Sequence, residues 1–276
     1  MSSPAAGPEV RKRTSTDVAL ATLVTLATAV TLLVNALANG LPINGKTTGD
    51  VTRDFDVYFS PAGYAFSIWS VIYTGLIAYT AYLWVAVIKG GAGVRADTAR
   101  AIAPWYLLTA VANCSWLFAW HHTQFPLTML LMVVLLAALI VIYLLQAART
   151  PSSAWELWAV HIPFRVYLGW ISVATIANAT ITLKDAGWDG FGISEPTWGV
   201  IMIVVAAALG LVMSFRYADA AYVAVIAWAL VAVAVRLSET TSILVAALAG
   251  AAVVVASLLI TVPRRRVTPV RAPRPE

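Results

Sequence analysis

Arg165, Tyr167, Trp170, Ala174 and Asn178 stand in the stretch IPFRVYLGWISVATIAN, residues 162–178, where almost every other residue is apolar. Tyr167, Trp170, Ala174 and Asn178 step by three, four and four residues, which puts them on one face of an α-helix. Tryptophan offers a flat apolar platform with one N–H donor, and a small residue beside it leaves room for a neighbouring helix or a flat ligand. Asn178 reads equally as helix-packing glue, bonded across to Asn113 or to a backbone group. Arg165 is harder to place. A charge at the centre of a bilayer costs about 2.5–3.5 kcal/mol, so it must reach backbone carbonyls, snorkel to the inner surface, or meet an anion carried by a ligand. Glu156 lies nine residues away along the same run, too far to pair with it directly.

These residues need a membrane to explain them. The 276-residue chain is 61% hydrophobic and 11% charged, against about 25% charged in soluble domains. Eight apolar runs, near 18–39, 62–88, 101–120, 126–147, 155–183, 197–215, 218–235 and 240–262, meet or approach the ~20 residues that a spanning helix requires. The expected fold is an all-α polytopic transmembrane helix bundle of about eight helices. The seventh run is the shortest, and the link RYADA before it demands an antiparallel hairpin. Arg11-Lys12-Arg13 precedes a first run too long for the apolar core of a signal peptide, so a retained helix is expected. The distribution of Lys and Arg favours both termini on the cytoplasmic side, with residues 1–17 forming a cytoplasmic N-terminal tail. Residues 40–61 and 184–196 become outer loops, each ending at a proline before a helix, and Asp50, Asp54 and Asp56 a solvated lid. The Pro- and Arg-rich stretch 263–276 is expected to be a disordered basic tail.

Three segments, the last of them within the stretch above, carry a resemblance. FSPAGYAFSIWSVIYTGLIAYTAYLW sets a proline before a helix bearing Trp69, Tyr73 and Trp84; ANCSWLFAWHH sets Asn113 three residues from Trp116; YLGWISVATIAN follows on the fifth run. In this order they resemble the tryptophan-rich TspO/MBR family of sensory or translocator proteins, whose fifth-helix signature is Tyr-Leu-Ala-Trp, then Ala-Thr, then Asn. Here Gly169 stands in place of the alanine, Ser60-Pro61 in place of a double proline, and Val166 where the family commonly has proline. An aspartate usual in the fourth helix is missing from PLTMLLMVVLLAALIVIY. The resemblance covers 18–184 as a five-helix bundle and leaves 185–262 as three additional transmembrane helices, a scaffold or a homodimer surface through AALAGAA.

The resemblance implies reversible binding of a flat small hydrophobic ligand, a tetrapyrrole of the porphyrin or haem type, with transport or stress signalling attached. It implies a ligand set of Trp69, Tyr73, Asn113, Trp116, Tyr167, Trp170, Ala174 and Asn178, to which the residues themselves add Arg165. No resident cofactor is required. A secondary transporter or permease component, and a tetrapyrrole-degrading enzyme, are the alternatives. No phosphate-binding loop, nucleophile elbow or zinc motif is present, so binding is expected ahead of catalysis. His121, His122 and His161 are expected at helix ends, without a metal. The basic blocks lie between apolar runs, as topology demands, and do not indicate nucleic acid. The expected location is a bacterial inner membrane.

Overall fold

The computed structural model describes residues 14–41, 43–55, 57–89 and 96–267. Arg11 to Arg13, Asp56, Arg95 and the stretch from 268 onward lie outside the described residues, and with them most of both expected tails. The described chain is helical: α1 (Ser15–Gly40), α2 (Thr48–Arg53), α3 (Ile68–Ile88), α4 (Asp97–His121), α5 (Phe125–Ala147), α6 (Ile162–Asp185), α7 (Glu195–Tyr217), α8 (Ala220–Arg236) and α9 (Thr241–Val267). A turn, Ala154–Glu156, and a π-helical segment, Leu157–His161, lead into α6. Seven of these helical segments are long and apolar enough to cross a membrane, and α8, at 17 residues, falls short. All eight expected runs are therefore helices. The last one continues through Pro263 to Val267, where helix was expected to stop. One proline near a helix end removes a single backbone donor, which such a terminus tolerates.

The chain forms two compact units: Met1–Thr48, Trp69–His122 and Leu130–Phe164 in the first, and Gly49–Ile68, Thr123–Met129 and Arg165–Glu276 in the second. This division by compactness is a different property from the boundary at 184 drawn from the family resemblance.

In the first unit α1 is fastened by a polar stripe. Thr14 and Asp17 close a capping box at its start, and Asp17 also pairs with Arg100 at 2.9 Å. Along its length Thr25 accepts from Trp84 Nε1, Thr28 bonds Thr80 and Tyr106, and Asn35 Nδ2 donates to Asn113 Oδ1 at 2.9 Å. In a membrane such groups have no water to turn to, so they specify which helices meet.

The second unit is built on small residues. A β-carbon placed on Gly210 would lie 3.0 Å from Val254 Cγ1, and one on Gly250 3.3 Å from Leu230 Cδ1, so α7, α8 and α9 approach closely there. The AALAGAA segment thus serves contacts within the chain. Ser214, Ser257 and Thr261 add a buried hydroxyl cluster between α7 and α9. The stretch before α3 is more deeply set than an outer loop. Phe59 and Ser60 are buried, the Ala62 amide donates to Ala232 O on α8, and Trp228 Nε1 donates to Ala65 O. Gly199 of α7 makes this possible, because a methyl there would meet Tyr58 O and Cβ at 2.6 Å. Irregular backbone survives at such depth only when protein satisfies it. The solvated part of the expected lid is the earlier half, where Asp50 pairs with Arg53.

Candidate functional site

The span Ala154–Asp185, which ends in α6, is the best-buried of the candidate spans, and two faces of α6 carry distinct chemistry. Residues 165, 169 and 172 step by four and three and so share one face. That face meets α8. A β-carbon on Gly169 would lie 3.0 Å from Val225 Cβ and 3.3 Å from Tyr222 O. Tyr222 donates its phenol hydrogen to Ser172 Oγ at 2.9 Å. Arg165 Nε stands 3.5 Å from Asp219 Oδ2. The glycine at 169 is thus explained by how closely α8 crosses.

Asp219 accounts for the arginine. It is fully buried, caps α8 by accepting from the Tyr222 amide, and sits in the tight link that turns α7 into α8. A 17-residue helix spans only about 25 Å, less than the ~30 Å hydrocarbon core, and the cap at its start is buried within the protein. The counter-charge for Arg165 is therefore a protein carboxylate. None of the three options read from the sequence included it, because Asp219 stands at the very edge of the seventh run, within the RYADA link. Arg165 Nε has no aligned hydrogen bond despite its burial, so the contact to Asp219 acts as an ion pair rather than a directed bond.

The other face of α6 carries Tyr167, Trp170, Ala174 and Asn178. Tyr167, Trp170 and Asn178 are buried and Ala174 is partly exposed. The Trp170 ring is met edge-on by Phe66, centroids 5.6 Å apart. Asn178 Nδ2 donates to Thr128 Oγ1 at 3.0 Å and to Thr182 Oγ1 at 3.1 Å, and approaches Met129 Sδ at 3.9 Å. Asn178 thus ties α6 to the start of α5, while Asn113 is bonded to Asn35 of α1. Phe66 escaped the sequence reading because nothing in its spacing distinguishes it from an ordinary apolar residue before a helix.

The remaining candidates belong to the first unit. Trp69 stacks on Tyr73 with centroids 5.5 Å apart and planes 24° from parallel. Trp116 stacks on Trp120 at 5.0 Å, and Trp120 Nε1 donates to Thr48 O. His121, beside them, is buried, with Nδ1 2.7 Å from Leu117 O and Nε2 3.4 Å from Thr48 Oγ1, a helix-end role as expected. Among the described residues no group of three or more His, Cys, Asp or Glu side chains is placed to hold a metal.

No curated protein and no solved structure matches the chain. A family model does: that of TSPO-like protein, over residues 21–260. The match runs on through the last three helices, beyond the stretch where the tryptophan motifs lie. With that match over most of its length and helices of membrane-spanning length along it, the chain is an integral membrane protein that belongs to the TSPO-like protein family.

Proposed function

We propose that the protein binds a flat hydrophobic ligand of the tetrapyrrole class reversibly at the Tyr167–Trp170–Ala174–Asn178 face of α6. The observation that carries this reading is Trp170, a buried indole on the signature helix, with the Phe66 edge against it and a partly exposed alanine one turn on. Indole faces stack on extended π-systems, and Ala174 adds no bulk beside such a wall. The stacked pairs Trp69–Tyr73 and Trp116–Trp120 are further aromatic platforms for the same ligand class. Arg165 lies on the other face of α6 with Asp219 beside it, so its part is to hold α8 against the signature helix.

Titration of the full chain in lipid nanodiscs with protoporphyrin IX, followed by tryptophan quenching, tests the reading. Saturable binding is expected, weakened at least tenfold by Trp170→Ala and less by Trp170→Phe. Trp105→Phe, on α4, leaves it unchanged. Absence of saturation, or equal affinity in the Trp170 and Trp105 variants, overturns it.

A second reading has its own support. Transporters carry ionisable groups inside spanning segments, and Arg165 of α6, paired with the cap of α8, is such a group. Uptake into proteoliposomes that requires an ion gradient would put transport ahead of plain binding.

A further inference from the structure

Glu156 and His161 are five residues apart, and on an α-helix that separation leaves them about 140° apart around the axis. Here they meet. His161 Nε2 is 3.8 Å from Glu156 Oε1, with both side chains withdrawn from solvent. The cause is local. Leu157–His161 is a π-helical segment, with the Ile162 amide bonding back to Leu157 O, five residues earlier. That wider turn brings positions five apart onto one side. Pro163 follows one residue later, after Ile162, and has no amide to continue an α-helical ladder. Two neighbours hold the distortion. Gln146 of α5 donates Nε2 to Val160 O at 2.7 Å. Gly75 of α3 admits Pro163, since a β-carbon there would lie 2.6 Å from Pro163 Cβ.

The pair is connected to the surface. Ser152, exposed, donates its hydroxyl to Glu156 Oε2 at 2.6 Å and its amide at 2.8 Å. Thr98, at the start of α4, also bonds the Glu156 carboxylate. Trp155 and Trp158 on either side of Glu156 are exposed, as aromatic side chains at a membrane–water boundary are. The segment therefore starts at that boundary, and His161 lies about 10 Å further in along the axis.

From these observations we infer that Ser152, Glu156 and His161 form a proton-binding site, with entry from the aqueous face at Ser152 and the proton held on the His161 imidazole opposite the Glu156 carboxylate. The ligand is a proton. Imidazole gains one N–H bond and a positive charge when occupied; no other bond is made or broken. Buried carboxylate–imidazole pairs in spanning segments are the groups through which membrane proteins take up protons, and imidazole ordinarily changes charge between pH 5 and 8. Groups on three neighbouring helices act around the pair. Tyr82 comes from α3 and couples electrostatically to Glu156 and to Asp97 at the start of α4; α5 contributes the Gln146 amide, whose Oε1 is buried without a donor. Arg100 is engaged with Asp17 and Asp97.

The site does not depend on any organic ligand, so its test uses none. The full chain, labelled with ¹⁵N-histidine and held in nanodiscs, is titrated from pH 4 to 9 by NMR, with the His161 signals assigned by their loss in His161→Gln. The expected result is a single His161 protonation step whose midpoint falls by at least one pH unit in Glu156→Gln, a tenfold weaker proton site. Ser152→Ala should slow hydrogen exchange at the His161 ring. A His161 that keeps one protonation state throughout, or an unchanged midpoint in Glu156→Gln, overturns the inference. Should Glu156→Gln fail to fold, Glu156→Asp shortens the carboxylate by one methylene and should lower the midpoint by a smaller amount; no change there is equally fatal.

Discussion

The helical stretch 154–185 carries two carboxylate–cation pairs, and they are built for opposite behaviour. Arg165 with Asp219 joins a cation that stays protonated at any accessible pH to a carboxylate that also caps α8. Glu156 with His161 joins a carboxylate to an imidazole, a base of the kind that ordinarily changes charge between pH 5 and 8, on a π-turn that Pro163 follows and Gln146 braces. The first fixes where α8 crosses α6. The second, on the inference above, carries a charge that depends on pH. The lesson is that ionisable groups within a spanning segment divide by whether the cation can lose its proton, and that a permanent pair belongs to architecture.

The largest effect should follow from breaking the permanent pair. Asp219→Asn leaves Arg165 without its counter-charge and should cost about 3 kcal/mol, the usual range for breaking a pair withdrawn from water. Thermal unfolding in detergent measures it. The double variant Arg165→Met with Asp219→Leu should recover much of the loss, because removing both charges also removes the desolvation cost. A pH scan of the single variant should show the same deficit from pH 6 to 9, since an arginine does not titrate there.

The next effects come from two glycines, one beneath each pair. Gly75→Ala drives a methyl against Pro163, where 2.6 Å leaves no room and the contacted atom is ring carbon, not the end of a flexible side chain. It should cost about 2 kcal/mol, as overpacking of a tight core does, and disturb the His161 signals. Gly169→Ala presses on Val225 Cβ from 3.0 Å, a milder conflict of about 1 kcal/mol, and should leave those signals alone. A crossed result, with Gly169→Ala perturbing His161 and Gly75→Ala not, would mean the two pairs are not independent.

Much of this could be read from residue order, and the rest could not for definable reasons. The eight helices were legible because a bilayer imposes length and apolarity on each run separately. The signature face of α6 was legible because Tyr167, Trp170, Ala174 and Asn178 keep α-helical spacing. The Glu156–His161 pair was hidden because its spacing is wrong for an α-helix, and only the π-turn makes it right. Asp219 was hidden because it lies in a short polar link, which reads as surface, whereas its side chain is buried. The stretch Val57 to Pro61 reads as outer loop from its turn-forming neighbours, yet Gly199 lets it sit against α7.

The smallest expected effect is the sharpest probe of the titratable pair. Gln146 is uncharged, and its Nε2 donates to the Val160 carbonyl within the π-turn. Gln146→Leu removes that donor and leaves a buried acceptor unsatisfied, at a cost of about 1 kcal/mol. Loss of the Gln146 bond weakens what holds Val160 in the wide turn, so the segment should spend more time in α-helical pairing, with His161 rotated away from Glu156. The His161 midpoint should then move in the same direction as in Glu156→Gln, by less, although no charge has been altered. If the midpoint moves as far as in Glu156→Gln, the turn itself and not the carboxylate sets proton affinity. If it stays fixed while stability falls, the geometry of the turn is held by Pro163 and Gly75 alone.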